Sequence, residues 1–193
     1  DFDDAVCLVE DGGLRTLWVA IADVAHYVQA GTALDRSAAA RATSVYLPHT
    51  VLPMLPPKLA DDLCSLRAGV DRLAMVVAME LDKENNVVHT RAYEGVVHVS
   101  ANIAYDDVFE TDDYDDMLAL AAVWQSREIR LNLNNPELRP RLQGANELRV
   151  DVKWPNEATR MIESFMVATN AWVGHLVGEA GAPLPWGCHA PPR

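Results

Sequence analysis

Two short apolar runs, Ala5 to Glu10 and Leu17 to Ala22, stand on either side of Asp11-Gly12-Gly13. Runs of that length with a glycine turn between them close into a β-hairpin, so the chain is committed to antiparallel pairing from its start. What stands at the head of the first run therefore stands at the head of a strand. Asp1, Asp3 and Asp4 are there, and a sheet, unlike a loose loop, holds side chains as a metal site needs. Carboxylates this close raise one another's pKa when partly buried, unless a cation screens them. Oxygen ligands with no His or Cys beside them suit magnesium or manganese rather than zinc or copper. A solvated acidic terminus is the competing reading, and from these residues alone both stay open.

Composition narrows the partners. With 193 residues, 50% of them hydrophobic, the chain can bury a sizeable core as one domain or a large piece of one. A net charge of -12 is the wrong sign for gripping nucleic acid by charge alone. Any phosphate contact then needs metal ions or a basic module outside this chain. Cys7, Cys64 and Cys188 are odd in number and scattered, which argues against a disulfide framework or a zinc site and fits a reducing cytoplasm. No leader and no apolar run of membrane-spanning length indicates export or insertion. The oligomeric state is not legible. The chain opens inside the acidic cluster and ends on Cys188-His189-Ala190-Pro191-Pro192-Arg193, so it is expected to be a piece truncated at both ends.

Along the chain, Asp23 and His26 follow the second strand, with a satisfied His at a strand end as the preferred reading. Leu34 to Ala42 is Ala-rich and predicts a helix. After Pro53, Pro56 and Pro57, a short helix from Lys58 should carry Leu59, Leu63 and Leu66 inward. Arg72 to Leu81 and Val87 to Ser100 predict a second hairpin with long arms. Between Tyr105 and Asn134 the run Asp112 to Asp116 precedes apolar residues and reads as a helix N-terminus, where acids favour the dipole. Pro140 to Leu142 and Glu147 to Val152 should pair. Pro155 and Asn156 open the longest helix, which runs to Ala180 with Gly181 as its stop. Its buried stripe is Met161, Ile162, Phe165, Met166, Thr169, Val173 and Leu176, with Asn156, Arg160, Glu163 and Asn170 on a neighbouring face. The fold class is α/β (α+β), a mixed, largely antiparallel sheet with packed helices.

Asp-Phe-Asp-Asp-Ala-Val, Val-Ala-Ile-Ala-Asp-Val-Ala-His-Tyr-Val, Gly-Thr-Ala-Leu-Asp, Arg-Ala-Thr-Ser-Val-Tyr-Leu-Pro, Val-Leu-Pro-Met-Leu-Pro, Asp-Leu-Cys-Ser-Leu and Asp-Arg-Leu-Ala-Met follow one another in this order. Together they resemble the catalytic (RNB) domain of the ribonuclease II and ribonuclease R family, and Asn-Glu-Ala-Thr-Arg-Met-Ile-Glu-Ser-Phe-Met extends the likeness. The resemblance implies that residues 1–193 are a partial catalytic domain without the flanking OB-type RNA-binding domains. It implies removal of 5′-nucleoside monophosphates from the 3′ end of single-stranded RNA, with magnesium, or manganese in its place. By the match Asp1, Asp3 and Asp4 are catalytic, Asp4 a direct metal ligand, and Asp1 a contributor to the metal shell. Tyr46 matches the aromatic that stacks on the terminal base, Tyr105 one that lines the catalytic cavity, and Glu163 an acid on the 3′ ribose. Leu133 stands where several members carry the Phe of a second jaw, and Ser164 replaces a common Glu. A stretch of this extent, lacking one family carboxylate and an arginine-bearing segment, is expected to be inactive by itself.

Two other readings remain from the residues. Asp1-x-Asp3 also begins haloacid-dehalogenase-type phosphotransferases, whose first Asp is the nucleophile and whose second is the acid or base. That chemistry wants a parallel sheet of βαβ units. An RNB-like domain that binds RNA without cleaving it is the third. Released nucleoside monophosphate, free phosphate, or neither would tell the three apart.

Overall fold

The computed structural model describes residues 2–127, 134–143 and 147–185. Strands β1 (Asp4–Asp11) and β2 (Leu14–Ala22) pair antiparallel with Asp11 opposite Leu14. That leaves a two-residue loop in which Gly12 and Gly13 take φ of +58° and +84°. Positive φ at both positions is the turn that matches the twist of the flanking strands, and glycine adopts it without steric cost.

Helix α1 (Val24–Tyr27) and helix α2 (Ala33–Arg41) follow. The chain then makes a small hairpin of β3 (Val45–Leu47) and β4 (Thr50–Leu52) across Pro48 and His49. The segment Lys58–Leu63 is a π-helical turn in place of the expected helix, but it does carry Leu59 inward, with Leu66 fully buried behind it. Strands β5 (Asp71–Leu81) and β6 (Val87–His98) form the second hairpin and complete a four-stranded sheet of order β1-β2-β5-β6. Every pairing among the described residues is antiparallel. The parallel βαβ sheet that the phosphotransferase reading requires does not form.

A short 3-10 turn at Asp112–Tyr114 leads into α3 (Asp115–Arg127), so the acidic run does stand at a helix start. A separate ribbon of β7 (Glu137–Gln143) and β8 (Glu147–Lys153) precedes α4 (Glu157–Glu179). Asn156 caps α4 in a reciprocal box. Its side chain accepts from the Thr159 N–H at 2.9 Å, while the Thr159 hydroxyl accepts from the Asn156 N–H at 2.9 Å. Gly181, at φ +65°, follows the helix end as expected.

The two-residue period of the strands sorts the core into two layers. On one face Leu17, Val19, Val77, Met79 and Leu81 pack against Leu120 and Ala121 of α3 and Met161 and Phe165 of α4. Met161, Phe165 and Thr169 of the expected stripe are buried, and Ile162, Met166 and Val173 pack at the margin of the same cluster. On the other face Ala20, Ala22, Ala74 and Val76 meet Leu59, Cys64 and Leu66. Alanines there let the irregular segment lie close against the strands. Trp124 joins the layers to the β5–β6 turn: its ring meets Phe165 edge-on at 5.7 Å, and its indole N–H donates to the Asn85 carbonyl at 2.8 Å. Among the described residues no helix is long and apolar enough to cross a membrane.

Candidate active site

Of the N-terminal carboxylates that the sequence singles out, Asp3 and Asp4 are among the described residues. Asp4 is the first residue of β1, opposite Ile21. Asp3 lies just outside the strand, tied on by its carbonyl, which accepts from the Ala22 N–H at 2.9 Å. Asp1 lies outside the described residues, as does Leu133. Alternation places Asp4 on the face of Val6 and Leu8, which pack toward α3 and α4, and Asp3 on the face of Ala5. The two acids thus straddle the edge of the sheet.

The electrostatics follow from that placement. Asp4 is half-buried, and its carboxyl is pushed up, first by burial and then by the charge of Asp3. Burial also pushes the Tyr105 hydroxyl up, with the charge of Asp4 as the second cause. On the opposite face burial raises the Cys64 thiol, followed by the charges of Asp23 and Asp3. Asp23 itself is buried and accepts from the His26 N–H at 3.0 Å, capping α1. His26 is exposed, as a satisfied residue beside a strand end should be.

Helix α4 positions Tyr105 from behind. The Asn156 side-chain amide donates to the Asp106 carboxylate at 3.0 Å and to the Tyr105 carbonyl at 3.4 Å, so the cap of α4 and the turn bearing Tyr105 are one unit. The Lys153 ammonium lies over the Tyr105 ring at 5.5 Å from its centre. Beside them opens a cleft of about 160 Å³ lined by Tyr105, Asn135, Glu137, Arg139, Lys153, Trp154, Pro155 and Thr159. Sequence reasoning missed the cationic side of this cleft. The only signal was Arg139 and Lys153 falling on one face of the paired β7–β8 ribbon.

Tyr46 stands apart from this group, on β3, with 74% of its surface exposed. A tyrosine used for core packing would be buried, and this one presents its ring to solvent. Glu163 is exposed on α4, next to Ser164, which is buried and accepts from the Gln125 side-chain amide of α3 at 3.0 Å. That bond ties α3 to α4 and gives the serine a structural use.

The donor set bears on the metal. Asp3 and Asp4 offer only carboxylate oxygens, and no hydrogen bond lowers the Asp4 carboxyl. Among the described residues no three His, Cys, Asp or Glu side chains gather closely enough to hold an ion by themselves. A carboxylate such as that of Asp4 suits a hard divalent ion that completes its shell with other oxygens, as magnesium does.

The family model of the RNB domain matches residues 1–193. The chain is 44% identical over 120 residues to ribonuclease R of Mycoplasmopsis pulmonis, covering 62% of this chain and 16% of that protein. It is 36% identical over 208 residues to ribonuclease R of Chlamydia trachomatis, covering all of this chain and 30% of that protein. Among solved structures, the apo form of Mycoplasma genitalium RNase R superposes with a TM-score of 0.85 at 26% identity, over 94% of this chain and 31% of that one. That protein has also been solved with ribose-methylated single-stranded RNA and with double-stranded RNA. The chain belongs to the RNB domain family, and it spans less than a third of the curated relatives it matches.

Proposed function

We propose that this chain is the catalytic core of a magnesium-dependent 3′→5′ exoribonuclease that hydrolyses single-stranded RNA to 5′-nucleoside monophosphates, with manganese able to replace magnesium. The observation that carries the reading is Asp4, a half-buried carboxylate that has no hydrogen bond among the described residues and that Asp3 repels. Burial and repulsion disfavour its charge, and a bound cation would relieve both. In this reading Asp4 and Asp1 hold the ion and Asp3 completes its water shell. The bound ion supplies a polarised phosphoryl oxygen and an activated water.

The remaining residues divide the work of holding RNA. Tyr46, exposed on its own hairpin, stacks on the terminal base, a contact that tolerates any sequence. Tyr105 lines the cleft in which the 3′ nucleotide sits, and Glu163 addresses the 3′ ribose, where a hydroxyl distinguishes RNA from DNA. A chain of charge -12 repels a polyanion, so the ion and the basic modules of a longer protein offset that repulsion. Single-stranded RNA is also present in one of the M. genitalium RNase R structures. The free thiols of Cys7 and Cys64 suit a reducing cytoplasm.

The test is product analysis with the full-length protein that carries this domain, 5′-labelled single-stranded RNA and magnesium. Stepwise shortening with release of nucleoside monophosphate is expected. Release of inorganic phosphate, or binding without cleavage, would contradict the reading.

A further inference from the structure

The strand ladder begins only at Asp4, and Asp3 before it is joined to the sheet by its carbonyl alone, which accepts from the Ala22 N–H. The backbone on its other side is fixed from elsewhere. Phe2, the residue before it, is gripped on both of its backbone groups. Its N–H donates to the Ser65 hydroxyl at 3.0 Å, and its carbonyl accepts from the Leu66 N–H at 2.7 Å. Both partners are fully buried, although they sit in an irregular turn.

That turn is itself braced from two sides. Arg72, at the start of β5, donates from Nε to the Asp62 and Ser65 carbonyls, each at 3.1 Å, and from Nη2 to the Asp62 carboxylate at 2.9 Å. Lys58 and Arg67 pair with the same carboxylate. From the far side Asn102 donates to the Leu66 carbonyl at 3.0 Å and accepts from the Ala68 N–H at 2.7 Å. The Nε–H is shared between the two carbonyls while Nη2 holds the carboxylate, and this guanidinium fork is a rigid brace because its donors lie in one plane.

We infer that Ser65, held by Arg72, is a positioning residue for the N-terminal acidic segment, setting through Phe2 where Asp3 stands relative to Asp4. This rests on the metal-site reading above. A cation site tolerates errors of only about half an ångström in its ligands, and a segment outside the ladder meets that demand only if it is pinned. The clamp spans 63 residues of sequence, so the acidic segment depends on a turn far from it along the chain.

The test uses the full-length protein and Mn2+ as the probe, followed by electron paramagnetic resonance of the free ion. Ser65→Ala is expected to weaken Mn2+ binding by about tenfold, the usual scale for removing a group that orients metal ligands. The KM for RNA should stay unchanged while kcat at limiting metal falls, and excess Mn2+ should restore kcat. Arg72→Lys keeps a charge beside Asp62 but loses the fork, and should weaken Mn2+ binding in the same direction. It decides the matter if Ser65→Ala does not fold. Wild-type affinity for Mn2+ in a folded Ser65→Ala protein, or in Arg72→Lys where only that variant folds, would overturn the inference and leave the metal site standing. A wild-type protein that takes up no Mn2+ would overturn the metal site and this inference with it.

Discussion

At one end of the sheet, just past β5, the Asp82 carboxylate accepts from the Asn86 N–H at 2.7 Å, the Asn86 side-chain amide at 2.9 Å and the Glu84 N–H at 3.0 Å. These donors, the Asn86 side chain first, hold it below the usual carboxylate range. At the other end the half-buried Asp4 carboxyl moves the opposite way, pushed up by burial and by Asp3. Both are aspartates at a strand boundary of one sheet. The Asp82 turn is also fastened from α3, by Trp124 to the Asn85 carbonyl and by Arg127 to the Asn86 side chain at 2.9 Å. The difference separates an acid that the fold uses from an acid that the fold tolerates. Hydrogen bonds favour the charged form at Asp82, while burial and a like charge disfavour it at Asp4.

The largest effect is expected from Asp4→Asn in the full-length protein. It should abolish magnesium-dependent hydrolysis while leaving RNA binding largely intact, and in metal-free buffer its Tm should match or exceed that of the wild type, since the amide removes a disfavoured charge. Retained nucleotide release would return Asp4 to the same class as Asp82.

Phe165→Ala comes next, and it should weaken both ends alike. The ring is fully buried between the sheet and Trp124, and its loss should cost about 3 to 5 kcal/mol in urea unfolding. Tyr46→Ala should leave stability untouched, because the ring is exposed. One stacked base is worth about 1 to 3 kcal/mol, so affinity for the RNA 3′ end should fall roughly tenfold to a hundredfold, with a change in the length of the final product. Unchanged affinity and product would remove Tyr46 from the RNA path.

The smallest effect concerns Asp82. A carboxyl whose folded pKa is depressed adds stability that is complete above its unfolded pKa and is lost as pH falls through the folded one. Asp82→Asn should therefore be less stable than the wild type near neutrality, and the gap should close in acid. A gap that persists at low pH would mean that shape, not charge, holds that turn.

Much of this was legible before any coordinates. The glycine pair between Ala5 to Glu10 and Leu17 to Ala22, and the Asn156 cap with Gly181 after α4, are local signals, and local signals set those elements. The β3–β4 hairpin was not legible, because its arms are three residues each and every one of their residues is exposed, which leaves no alternation to read. The acids were recognised, yet their division across the sheet edge and the Ser65 grip on Phe2 depend on contacts between distant parts of the chain. Those arise from tertiary packing alone. The cleft beside Tyr105 was missed for the same reason, since its walls come from the ribbon and the start of α4.

The contrast between the two ends is tested most directly by thermal melting of the full-length wild type, Asp4→Asn and Asp82→Asn, each with and without magnesium. A ligand that binds only the folded state at a hundred times its Kd adds about 2.7 kcal/mol. Wild type and Asp82→Asn are expected to gain equally from magnesium, and Asp4→Asn to gain nothing. An Asp4→Asn protein stabilised by magnesium as much as the wild type would show that the strained carboxylate is not where the ion binds.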